Sequence, residues 1–133
     1  MITKAINQQL KADTDLTTLA GGATYFFAEL GRGDKSIVTS QTDKGRAAEP
    51  IPDVMNSPIQ VLVSGYDIDA GEKFAHKVVG VVEGLKDQTL SITDWEYTIK
   101  SIMVVSEPVL IRWKDANAFT INFNIFYRQN FLA

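Results

Sequence analysis

The single histidine, His76, is the only side chain of this 133-residue sequence suited to neutral-pH acid–base chemistry or imidazole metal ligation. It stands beside Lys77, and the chain holds no second histidine and no cysteine, so a zinc site would need three carboxylates gathered around it. The pattern favours a structural or surface histidine. Asp67-Ile68-Asp69-Ala70-Gly71-Glu72 has the spaced acids of a calcium loop, but its glycine comes one position early and its twelfth position is Val78 instead of glutamate. Helix capping is the better account, because Asp69 precedes Glu72 by the three residues of a capping box.

Nucleophilic chemistry finds no strained Gly-x-Ser-x-Gly elbow: Ser57, Ser64 and Ser101 lie in plain strand contexts. Asp94, Glu96 and Glu107 are the carboxylates that could converge in a cleft, as a glycosidase pair would, and surface charge is their default role. Gly31-Arg32-Gly33 lacks the later glycine of a dinucleotide loop, and no phosphate loop ending in Gly-Lys-Ser/Thr is present. Arg32-Gly33-Asp34 matches an adhesion tripeptide that arises often by chance. Gly80-Val81-Val82-Glu83-Gly84 has small-xxx-small spacing, and with Glu83 inside it reads as close packing of a helix on a sheet. These readings favour a non-enzymatic protein without cofactor or metal.

Charge narrows the partners. Thirteen Lys plus Arg against sixteen Asp plus Glu give −3, with the positive charges scattered among carboxylates in both halves, so no basic patch is available to neutralise a nucleic-acid backbone. The absence of cysteine excludes disulfides and thiolate catalysis and fits an intracellular origin. The first ten residues lack the apolar core of a signal peptide, and no run reaches membrane-spanning length, so a soluble cytosolic product is expected.

The elements follow from periodicity. Ile2, Ala5, Ile6 and Leu10 recur at helical spacing and predict an amphipathic first helix, with Asp13 and Gly21-Gly22 punctuating its end. The aromatic run 24–30 predicts a strand. From Gly31 to Pro52 the chain reads GRGDKSIVTSQTDKGRAAEPIP, with three glycines, two prolines and seven charges, and predicts a long mobile loop or extended hairpin broken only by Ile37-Val38. Ile59, Val61 and Val63 alternate in a strand. Phe74, Val78, Val81, Val82 and Leu85 predict a helix over 70–86. Strands over 97–105 and 109–114 follow, and a turn at Asp115-Ala116-Asn117 leads to Phe119, Ile121, Phe123, Ile125 and Tyr127 alternating in a last strand. The expected fold is a single α+β domain, 1–133, with a largely antiparallel sheet, two helices on one face and the long loop 31–52.

Read as a whole, the stretches ITKAINQQLKA, TYFFAEL, the charged 31–52 loop, SPIQVLVSGYD, EKFAHKVVGVVEGLKD and AFTINFNIFYRQ resemble the tail terminator, or minor capsid (tail completion), proteins of long-tailed bacteriophages. The resemblance implies a structural virion protein that closes as a ring, a hexamer, on the head-proximal end of the tail tube. There it would end tail polymerisation and present the head-attachment surface. Implied partners are further copies of itself, the tail tube protein and the head connector or completion protein, with DNA only as passing cargo and no membrane. Implied locations are the host cytoplasm during assembly and then the virion tail.

Within that resemblance, residues 31–52 are expected to order on assembly and grip the adjacent ring or line the channel. Arg32, Asp34, Lys35, Lys44 and Arg46 are the expected contacts, and a deletion of 35–46 is expected to spare folding. Two other readings stand beside it. One is a small-ligand or enzymatic cone-shaped α+β domain with Trp95 or Trp113 lining its pocket. The other is a different phage head–tail joining or tube protein, and a tube protein would stack into long tubes instead of closing one ring.

Overall fold

Apolar residues at steps of three and four build the helices, and apolar–polar alternation builds the strands, in the computed structural model. It describes residues 2–21, 24–26, 35–41, 46–47, 54–113 and 116–132, and their side chains except those of 20, 24–26, 46–47, 113 and 116. The element order is α1 (Ile2–Ala12), α2 (Thr14–Ala20), β1 (Thr24–Phe26), β2 (Ser36–Gln41), β3 (Arg46–Ala47), β4 (Met55–Ser64), α3 (Ile68–Glu83), β5 (Thr89–Ile92), β6 (Trp95–Trp113) and β7 (Ala116–Phe131). One sheet runs β1-β2-β4-β7-β6-β5, with β3 also on β4. All described pairings are antiparallel except β1 with β2. This is the expected α+β arrangement.

Register explains the core. Ile59 pairs with Phe123, Val61 with Ile121 and Val63 with Phe119, while Ile99 pairs with Tyr127. These side chains therefore share one face, and all are buried together with Ile2, Ile6 and Leu10 of α1 and Phe74, Val78 and Val82 of α3. Each such aliphatic or aromatic side chain contributes roughly 1.5–3 kcal/mol by leaving water. One buried polar pair joins α1 to β2, Thr39 Oγ1 donating to Asn7 Oδ1 at 3.3 Å.

Five expectations change in detail. Asp13 does not simply end the first helix; it caps α2, accepting from the Leu16 amide at 2.8 Å, and Gly21 closes α2 in the left-handed region. The cap of α3 is Asp67, which accepts from the Ala70 amide at 2.7 Å, so the helix begins two residues earlier than the Asp69 capping box predicts. The two strands expected over 97–105 and 109–114 are one strand, β6, through Trp113, with Lys114 outside the described residues, and its register shifts absorb Lys100, Val105 and Glu107-Pro108 as bulges. Proline is tolerated there because the bulge sits on a strand edge that donates no further ladder bond.

The fourth concerns the span 31–52. It contains β2, which pairs with β4 from Ser36↔Ser64 to Gln41↔Ile59 and buries Ile37, Val38 and Thr39. The close helix–sheet contact also belongs to a different glycine. A Cβ on Gly71 would lie 2.7 Å from Phe119 Cε2, whereas one on Gly80 would meet nothing within 4 Å.

Candidate assembly surface

The residues with catalytic potential are dispersed. His76 is exposed, and its Nε2 lies 3.9 Å from Glu72 Oε1, one helical turn away on α3. Asp94 and Glu96 stand at the start of β6 and Glu107 in its last bulge, so the strand holds them apart. Ser57 is engaged, its hydroxyl 2.7 Å from the Tyr127 hydroxyl. Trp95 packs against Phe131 at 5.0 Å between ring centroids, and the Trp113 side chain lies outside the described residues. Among the described residues no group of three His, Cys, Asp or Glu is placed to hold a metal ion.

The anticipated contact residues of 31–52 do not form one cluster. Lys35 leads into β2, where Ser36 pairs with Ser64, and its Nζ lies 5.4 Å from the centre of the Tyr66 ring. Arg46 belongs to β3 and pairs with Asn56, at the other end of β4. Eight strand positions at about 3.3 Å each separate those two pairings along β4. Arg32, Asp34 and Lys44 lie outside the described residues.

The surface that sequence reasoning missed is the far half of β6. Its 19 residues pair with β7 along one side, but β5 covers the other side only from Trp95 to Thr98. Beyond Thr98, no described strand meets that edge. Ile99 still exchanges backbone hydrogen bonds with Asp87 and Gln88, but beyond it the edge has no ladder partner among the described residues, and Met103 (50% exposed), Val105 (55%), Val109, Leu110 and Ile111 are exposed around it.

Both faces contribute. Leu110 pairs with Phe119 on the helix-covered face, while Met103, Val109 and Ile111 pair with Asn124, Thr120 and Ala118 on the opposite one. The signal was present in the sequence: Val104-Val105 and Val109-Leu110-Ile111 put apolar side chains on consecutive positions, and a strand with one covered face cannot bury both. On the face opposite the helices, uncharged polar side chains join three strands. Gln60 Nε2 donates to Asn122 Oδ1 at 3.3 Å, and Asn122 Nδ2 donates to Ser106 Oγ at 3.4 Å.

A second concavity, of about 410 Å³, lies between α1 and α3, lined by Gln9, Asp13, Lys77, Gly80 and Gln88 among others. Lys77 Nζ stands 3.5 Å from Asp15 Oδ2 beside it, in a solvent-exposed pair that contributes little. No helix among the described residues is long and apolar enough to cross a membrane.

No family model matches the chain, and no curated protein does. Among solved structures, a chain from the "Virion of native gene transfer agent (GTA) particle" has this fold, with a TM-score of 0.64 at 18% identity over 94% of this chain and 92% of that one.

Proposed function

We propose that this chain is a structural component of a phage-type virion, and specifically a tail terminator. In this reading six copies close as a ring on the head-proximal end of the tail tube, halt its polymerisation and offer the head connector a surface, and DNA passes through. The observation that carries the reading is the full-length likeness of fold to a chain of a virion particle.

The unpaired apolar edge of β6 supports it, since a long exposed edge is a liability in an isolated protein and an asset in one covered by assembly partners. The Gln60, Asn122 and Ser106 patch on the face opposite the helices suits contact with passing DNA, because none of these three side chains carries a charge to hold the phosphates. Lys35 and Arg46 would supply two separated contacts, with Arg32, Asp34 and Lys44 beside them in sequence.

Native mass spectrometry of the purified chain over a wide concentration range, with negative-stain imaging of large species, tests the proposal. Discrete closed rings are the expected result. Long stacks would make it a tube protein, and a monomer at every concentration would overturn self-assembly.

A further inference from the structure

A pocket of about 460 Å³ opens where β4 begins beside β6 and β7, lined by Val54, Lys100, Ser101, Phe126 and Arg128. Its wall is apolar, from Val54 and Phe126, and its rim carries two exposed cations, Lys100 and Arg128. The bulge after Ile99 and the Ser101↔Phe126 pairing bring these residues together from distant parts of the sequence. A socket with this chemistry takes an aliphatic side chain flanked by carboxylates.

The chain carries such a group. Ile68 opens α3 and is 48% exposed, and Asp67 and Asp69 are exposed on either side of it. Among the described residues none of Asp67, Asp69, Lys100 and Arg128 takes part in an ion pair. The knob follows the C-terminal end of β4, and the socket adjoins its N-terminal end. Ten residues of strand at about 3.3 Å each put them on the order of 30 Å apart, too far for a molecule to fill its own socket.

We infer that the Asp67-Ile68-Asp69 knob of one copy seats in the Val54, Lys100, Phe126, Arg128 socket of the next. A contact between two different patches is heterologous, and it yields a ring if the rotation closes and a filament if it does not. The inference rests on the ring reading and adds the joint by which copies meet. Its rim charges steer docking and are screened by salt, while the Ile68 side chain fills the apolar centre.

Sedimentation velocity of the full chain at low and high salt tests it. Wild type is expected to associate more tightly at low salt. Arg128→Glu, Lys100→Glu, Asp69→Lys and Ile68→Ser should each weaken association on the order of tenfold, as loss of a rim pair or an apolar anchor implies, while the control Glu83→Lys, about 21 Å along α3 from Asp69 and on the helix side of the sheet, should not. Asp69→Lys combined with Arg128→Glu or with Lys100→Glu should restore association in the combination that re-forms opposite charges across the joint. Wild-type rings that survive all the single substitutions, or failure of both combinations to restore association, would overturn the joint and leave the ring reading intact. A wild type that stays monomeric throughout would overturn both.

Discussion

The hydroxyls of Ser57 and Tyr127 meet at 2.7 Å inside the sheet, 70 residues apart in sequence. Gln41 Nε2 adds a donor to Ser57 Oγ at 3.3 Å, so one serine on β4 serves partners from both flanking strands, β2 and β7. Ser57→Ala strands both partners, one of them a buried phenol, and should cost about 1–3 kcal/mol. Tyr127→Phe leaves Ser57 with Gln41 and should cost less, roughly 0.5–1.5 kcal/mol. Denaturant midpoints of the two variants check this, and the reverse ranking would sink it.

The same cluster makes stability fall in alkali. Tyr127 has its pKa raised above 10.0 by burial, with the Ser57 hydrogen bond opposing, and Tyr97 has its own raised by burial and then by the charge of Tyr127, whose ring meets it edge-on at 5.7 Å. In the unfolded chain these phenols release their protons near pH 10, while the folded chain retains them longer. The folded state thus binds more protons above that point, so the contribution is complete below about pH 10 and declines as pH rises through the folded values. Denaturation from about pH 8 to about pH 11 should show the decline, and Tyr97→Phe with Tyr127→Phe should flatten it. An equally steep fall in the double variant would refute the assignment.

Glycines in one helix should respond oppositely. Gly71→Ala drives a methyl to within 2.7 Å of the Phe119 ring, and overpacking of this kind costs about 1–3 kcal/mol. Gly80→Ala places its methyl in open space on an exposed helix position and should stabilise by roughly 0.5–1 kcal/mol through backbone entropy. Thermal melts of the two variants decide it; shifts of the same sign would be inconsistent with this packing.

β2 marks where sequence reading stopped. The alternation of Phe119 to Tyr127 and the helical spacing of Ile2 to Leu10 were legible because each element carries its whole burial pattern in its own residues. In β2 only Ile37 and Val38 are apolar; Ser36 is buried by bonding Ser64 at 2.7 Å and Thr39 by bonding Asn7, partners no local pattern reveals. The socket was illegible for the same reason, since it exists only once the sheet brings Lys100 of β6 and Phe126 and Arg128 of β7 to the start of β4. A deletion of 35–46 therefore removes a core strand and should unfold the chain, contrary to the expectation from the charged flanks. Ile37→Ala, at a fully buried position, should cost about 2–4 kcal/mol. A cooperative wild-type-like melt of the deletion variant would contradict this.

The knob and socket lie along the strand direction of β4, whereas the open edge of β6 faces across the sheet. In the proposed tail terminator, a copy docked at the socket therefore leaves that edge for a different neighbour along the tail. Val109 and Ile111 are exposed on the face away from the helices, so Val109→Lys with Ile111→Lys should change the stability of the monomer by no more than about 1 kcal/mol while placing charge on the edge. Ring formation should persist, and attachment of rings to tail tubes should fail, visible by electron microscopy as free rings beside uncapped, overlong tubes. Capped tubes of normal length would assign the edge no role in attachment, and loss of the rings themselves would move the copy-to-copy joint from the socket to β6.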